Sequence, residues 1–253
     1  MLSLSQFNIL TWGWIALALL TFLLLLKVTA PYGRHTKSNW GPMIGNKTGW
    51  FIMELPALIV PFIFFFTGNI IPGMVPWVFI ILFGLHYFNR VMVFPFRLRT
   101  GKKKMPVVIV AMAVFFNLVN GFIIGYFLGN FSGYYEISWL WDPRFITGFL
   151  LFFLGLYINW TSDNVLINLR KSPGNGYIIP EGRLFQYISC PNLFGEILEW
   201  TGFAILMWNL PGLSFAVWTM ANLIPRALDH HKWYQEYFDD YPEERKAVIP
   251  LII

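Results

Sequence analysis

Residues 145–169 read FITGFLLFFLGLYINWTSDNVLINL. The first part carries no charge, while Asn159, Ser162 and Asp163 gather at the far end, just ahead of Arg170. A helix rises about 1.5 Å per residue, so about 20 such residues cross the ~30 Å hydrocarbon core of a bilayer. Stretches of this kind recur along the chain, and seven spanning helices are predicted, over about residues 7–26, 49–66, 73–94, 106–128, 145–169, 193–210 and 213–228. The expected fold is therefore all-α, a polytopic membrane protein with residues 1–253 forming a single seven-helix domain.

Composition agrees. Of 253 residues 57% are hydrophobic and 12% charged, against about 45–50% and about 25% in a soluble domain. With 26 Phe, 12 Trp and 11 Tyr, the apolar side chains outnumber what a water-soluble core of this length could hide. Cys190 is the single cysteine, so no internal disulfide forms, and the chain lacks zinc-finger spacing. The first segment lacks the basic start and small-residue cleavage site of a signal peptide and is read as retained.

The net charge of +5 is explained by topology rather than by nucleic acid. With the amino terminus outside, every Lys and Arg but Arg90 and Arg144 falls on the inner side, so the positive-inside rule places the carboxyl terminus in the cytosol. The basic run Arg97, Arg99, Lys102, Lys103 and Lys104 reads first as an orientation signal, and otherwise as an anchor for lipid headgroups or a phosphorylated ligand. The inner loop 171–190 opens with KSPGN and reads as a mobile connection. No glycine-rich turn joins a strand to a helix, so a nucleotide would have to bind among helices and loops.

An ionisable side chain inside the membrane costs about 2.5–3.5 kcal/mol on insertion scales, so each is a candidate functional residue with a partner. Glu54 lies beside Pro56, with Pro61 further on, and two prolines in one helix can bend it around a cavity. His86, Tyr87, Asn89 and Arg90 interrupt the third segment; an Arg90–carboxylate pair that pins helices together is the plain structural reading. Asn159, Asp163 and Arg170 share a helical stripe, as do Asn192, Glu196 and Trp200, and Arg226, His230 and Tyr234. Polar stripes on three helices at one level suit a large polar cofactor such as a nucleotide. Asp229, His230, His231 and Glu236 lack the spacing of a metal site, and none is expected.

These residues in this order resemble the steroid 5-alpha-reductase family of membrane enzymes. The likeness runs through Glu-Leu-Pro at Glu54, His-Tyr-Phe-x-Arg at His86 to Arg90, and Asn159 with Ser162-Asp163. It continues through Leu169 to Lys171, Asn192 with Gly195-Glu196 and Glu199-Trp200, Arg226 with His230-His231, and the tail from Tyr241-Pro242 to Ile249-Pro250. The resemblance implies NADPH-dependent reduction of the 4,5 double bond of 3-oxo-4-ene steroids, with hydride to C5 and a proton to C4. It implies that Glu54 and Tyr87 hold the 3-oxo group and that Trp200 lines the steroid site. Asn159, Asp163, Arg170, Tyr177, Asn192, Glu196, Arg226, His230 and Tyr234 would carry NADPH, toward the cytosolic ends of the last three helices. The substrate pocket would lie among helices of the amino-terminal half.

The family commonly has Gln where this chain has Met53, and Met lacks the amide donor and acceptor; impaired activity is the expected consequence. Related sterol reductases and prenyl-cysteine methyltransferases share features of the tail, but Glu54 and Tyr87 speak against a methyltransferase. A transporter or lipid-binding protein is disfavoured by the lack of related halves. The partners expected are a steroid entering from the bilayer and membrane lipids, with no nucleic acid. The chain is expected to work as a monomer, multi-pass in a bacterial inner membrane or the endoplasmic reticulum. Residues 97–104 and 171–190 are expected to close over bound cofactor.

Overall fold

Apolar runs in a medium without water must close their backbone hydrogen bonds internally, and helices do so. A computed structural model of the protein describes residues 1–170 and 176–253. It places helices α1 Leu4–Leu25, α2 Asn46–Phe66, α3 Met74–Phe88, α4 Phe94–Arg97, α5 Val107–Asn130, α6 Pro143–Leu169, α7 Pro191–Met207 and α8 Leu210–Tyr237. A π turn, Asn89–Val93, joins α3 to α4. Helices α1, α2, the α3–α4 run, α5 and α6 are long and apolar enough to cross a membrane, the build of a multi-pass membrane protein. α7 has only 17 residues, and α8 carries Pro225, Arg226 and Asp229 in its second half.

Hydroxyls within the helices find partners close by, Thr11 donating to the Phe7 carbonyl at 2.9 Å and Thr219 to that of Phe215 at 3.0 Å. Helix α6 opens on Asp142-Pro143: the Asp142 carboxylate accepts from the Arg144 amide at 2.8 Å, and proline occupies the first helical position. Arg144 also holds the Asp142 carboxyl down to about 2.

One feature departs from an all-helical chain. Strand β1, Met43–Gly45, pairs antiparallel with β2, Lys104–Pro106. The segments leading into α2 and α5 carry unpaired peptide groups, and the side-by-side packing of those helices brings the two segments together. The seventh predicted segment is also longer than read: α8 runs to Tyr237, so Arg226, His230 and Tyr234 lie on one continuous helix.

The described chain divides into two compact units. The first comprises Met1–Thr11, Ala30–Ile146 and Asn209–Gly212; the second comprises Trp12–Thr29, Thr147–Trp208 and Leu213–Ile253. In the first, α2 and α5 pack against each other so closely that a Cβ on Gly125 would overlap the backbone of Pro61. In the second, α6 and α7 touch backbone to backbone. A Cβ on Gly155 would overlap Gly195 and Glu199, and one on Gly148 would overlap Gly202 and Leu206.

Lipid tails give helices little hydrophobic reason to associate, so close backbone packing carries much of the attraction. Gly195→Val is therefore expected to lower the unfolding midpoint in detergent, by an overpacking cost of about 1–3 kcal/mol. Gly13→Ala, with nothing within 4 Å of the added carbon, should be neutral or slightly stabilising in the same thermal melts.

Candidate functional site

In the first unit the buried polar cluster is built on α2 and the α3–α4 run. Pro56 removes the amide that would bind the Ile52 carbonyl, and the next carbonyl, that of Met53, accepts the Asn117 side-chain amide of α5 at 2.6 Å. One residue on, Glu54 Oε1 lies 3.9 Å from an Arg90 guanidinium nitrogen, with side chains 14% and 10% exposed. Arg90 sits within the π turn, where an extra residue re-aims side chains. Its guanidinium carbon is 5.1 Å from the Trp50 ring centre and 4.5 Å from that of Phe94. Two aromatic faces thus shield the cation while Glu54 balances it.

Tyr87, one turn earlier on the same helix, is buried with its ring 4.8 Å from Phe83 and 5.0 Å from His86. Met53 is buried with Met105 and Val110.

In the second unit the polar stripes of α6 and α7 interlock. The Asn159 amide donates to the Asn192 carbonyl at 3.0 Å and to Glu196 Oε2 at 3.4 Å. The Asn192 amide returns a hydrogen bond to Asp163 Oδ1 at 3.1 Å. Asn159 Oδ1 is buried and has no hydrogen-bond partner among the described residues, which leaves an acceptor for a donor group on a ligand. Trp200 is buried among Phe215, Phe203 and Phe152, with ring centres 4.4, 5.4 and 6.2 Å away. It belongs to the second unit, and Glu54 and Tyr87 to the first.

Arg226 and Tyr234 are buried on α8, and His230 is half-buried between them in sequence. Tyr234 stacks on Tyr241 at 5.3 Å. Tyr177 packs edge-on against Trp233 at 4.7 Å and Tyr237 at 5.6 Å. Arg170 is exposed at the end of α6. Of the loop expected to close over cofactor, residues 171–175 lie outside the described residues.

A further knot escaped sequence reasoning. Ser189 Oγ lies 2.6 Å from both His231 Nδ1 and the Tyr241 hydroxyl. The tail runs beside it, with the Ser189 amide bonded to the Lys246 carbonyl at 2.8 Å and the Cys190 amide to that of Ala247 at 3.1 Å. Arg245 secures the tail further through the Pro180 carbonyl at 3.0 Å. Asn117, an amide in the middle of an apolar helix, was the missed signal in the first unit; the Ser189 knot joins residues too far apart in sequence to be paired by spacing. Among the described residues no cluster of three or more His, Cys, Asp or Glu is placed to hold a metal.

The family model described as 3-oxo-5-alpha-steroid 4-dehydrogenase matches residues 103–253. Over 240 residues, 93% of each chain, the protein is 42% identical to steroid 5-alpha-reductase DET2 of Gossypium hirsutum. It is 40% identical over 242 residues to 3-oxo-5-alpha-steroid 4-dehydrogenase 1 of Bos taurus, covering 94% of this chain and 93% of that one. It is also 40% identical over 239 residues to DET2 of Arabidopsis thaliana, covering 92% and 91%. These likenesses define an oxidoreductase acting on CH–CH bonds. The chain belongs to the 3-oxo-5-alpha-steroid 4-dehydrogenase family, as the ordered motifs had implied.

The Ser189 knot carries its own pH dependence. Burial, and then the positive charge of Lys246, push the His231 imidazole below its ordinary value of 6.5. The unfolded chain then binds more protons than the folded one between the depressed value and 6.5, so stability is full above this window and is lost as pH falls through it. Hydrogen exchange at the Ser189 and Cys190 amides, corrected for intrinsic rates, should accelerate as the medium is acidified below about pH 6.5. In His231→Gln that acceleration should vanish.

Proposed function

We propose that the protein reduces the 4,5 double bond of 3-oxo-4-ene steroids with NADPH, giving 5-alpha-3-oxosteroids. The observation that carries this reading is Glu54, an acid in an apolar helix with its side chain only 14% exposed beside Arg90, with Tyr87 buried one turn away from that arginine. Inside lipid such a group is kept only for a task. The proposed task is to hold the steroid 3-oxo oxygen with hydrogen bonds from the Tyr87 hydroxyl and from Glu54, which takes up a proton and gives up its pairing with Arg90 as the steroid enters.

The second unit supplies residues that fit the cofactor. Amides and acids at Asn159, Asp163, Asn192 and Glu196 suit ribose and carboxamide groups, and Asn159 Oδ1, unpartnered among the described residues, supports this fit. Arg170 and Arg226 suit phosphates, while Tyr177, His230 and Tyr234 offer ring faces and further donors. When bound, NADPH supplies the hydride that C5 receives.

Negative charge then builds on the 3-oxygen as an enolate, and the Tyr87 and Glu54 donors stabilise it more than they stabilise the ground-state ketone. C4 takes a proton to complete the reduction. Trp200 and its Phe neighbours are proposed to line the flat apolar body of the steroid, which reaches the protein through the bilayer. All seven long helices are proposed to cross the membrane as a monomer, amino terminus outside and carboxyl terminus in the cytosol, as the Lys and Arg distribution supports. The host membrane would be a bacterial inner membrane or the endoplasmic reticulum.

The test is mass spectrometry of product formed from a 3-oxo-4-ene steroid and NADPH deuterated at C4 of the nicotinamide. Deuterium at C5 is expected. Tyr87→Phe and Glu54→Gln should each lower turnover by about 10²–10³ with NADPH binding retained, and near-normal turnover in either would remove that residue from the reaction. Met53→Gln should raise turnover by restoring an amide next to Glu54. It should also lower the melting temperature, because the amide would be placed beside Met105 and Val110.

A further inference from the structure

Asn117, Gly121, Gly125 and Gly129 follow one another at four-residue steps along α5 and form a single ridge. The glycines of this ridge lie against α2. A Cβ on Gly121 would meet Val60 and Pro61, one on Gly125 the Pro61 main chain, and one on Gly129 the Phe64 carbonyl. Asn117 heads the ridge at the turn of α2 that carries Glu54. The close approach lets its short side chain reach a main-chain atom of the neighbouring helix: Asn117 Nδ2 donates to the Met53 carbonyl at 2.6 Å, and both residues are buried.

The atom so held lies next to the acid. The Met53 carbonyl and the Glu54 amide are two sides of one planar peptide, which ends at the Glu54 Cα. Two rungs of the helix ladder are missing around it, since Pro56 has no N–H for the Ile52 carbonyl and Pro61 none for that of Ala57. A turn with those gaps has more freedom to tilt than a regular one, and the Asn117 hydrogen bond restrains it. Toward the π turn, Trp50 and Glu54 are four residues apart and share a face of α2. Both stand at Arg90, with its guanidinium carbon 5.1 Å from the Trp50 ring centre and a guanidinium nitrogen 3.9 Å from Glu54 Oε1. A tilt of this turn would move Glu54 relative to everything it faces.

We propose that Asn117 is a positioning residue for the reduction. Its amide fixes the peptide ahead of Glu54, and through it the point from which the acid reaches the 3-oxo oxygen. Asn117 itself touches neither steroid nor cofactor. The inference rests on the reading of Glu54 as a donor to that oxygen. An asparagine that only glued α5 to α2 would change how much protein folds and leave the turnover of the folded protein alone. A misplaced donor acts on turnover itself, and a displacement of about 1 Å can cost about 100-fold.

The experiment is steady-state kinetics of the full chain in liposomes with NADPH and progesterone, a 3-oxo-4-ene steroid. The proteins compared are the unaltered chain, Asn117→Leu, Glu54→Gln and the two changes combined. Leu has nearly the shape of Asn without its amide, and it suits an apolar helix. Asn117→Leu should lower kcat about 10–100-fold, with KM for NADPH unchanged. In the Glu54→Gln background the same change should alter kcat by less than about twofold, because the residue it acts through is already gone. Asn117→Ser, whose hydroxyl turns back to the Ala113 carbonyl of its own helix, should lower kcat as Asn117→Leu does, and it serves if leucine disturbs the seam. An equal loss in both backgrounds would overturn the proposal and leave the role of Glu54 standing. A fall in folded protein at unchanged kcat would do the same. Normal turnover of Glu54→Gln would remove the reading of Glu54, and this inference with it.

Discussion

The backbone contact of α6 with α7 is the constraint on which the second unit depends. Gly155 meets Gly195 and Gly148 meets Gly202, each pair seven residues from the next along its helix. Two turns separate equivalent positions on a helix face, so the contact repeats along one seam. Only at this separation can the short side chains of Asn159 and Asn192 reach across to the opposite helix. The polar network is thus a product of missing side chains. Larger residues at the seam would hold the helices apart and leave the buried Asn159 and Asp163 to find other partners, at about 1–3 kcal/mol for each one left unsatisfied.

The first unit solves a different problem, that of holding an acid and a base where water is scarce. Separating two opposite charges in a medium of low dielectric is costly, and so is burying either alone. Trp50 and Phe94 cover the faces of the Arg90 guanidinium, and Glu54 stands at its edge. The π turn makes this geometry available. A regular helix through Asn89–Val93 would turn Arg90 by the angle of the one residue that the π turn adds, and the side chain would leave this setting.

The long helices were readable because twenty apolar residues in a row have few other solutions. A carboxylate beside Arg90 was readable as well, since an arginine in an apolar run needs one; that it is Glu54 came from the packing of the helices. The stripes Asn159–Asp163 and Asn192–Glu196 were readable too, because four-residue steps repeat a helix face and both stripes were strongly polar. Their partnership with each other was not readable, because it depends on which helix lies beside which. The same limit hid the β1–β2 pair, whose strands are three residues long and lie some sixty positions apart. It also hid the junction of Ser189, His231 and Tyr241, which unites a loop, a helix and the tail. Local periodicity carries no information about such meetings. Only the full length of α8 was hidden for another reason: the charges beyond Leu228 end a hydrophobic pattern without ending a helix.

The hold of Asn117 on α2 is made on a main-chain oxygen, that of Met53, and not on the methionine side chain. A clamp of that kind is blind to spelling. Any residue at position 53 presents the same carbonyl, so the register of Glu54 against its surroundings survives replacement of its neighbour. The position of the acid is therefore answerable to the main chain of its neighbour, and the sequence can drift at position 53 while the helix bearing the acid keeps its place.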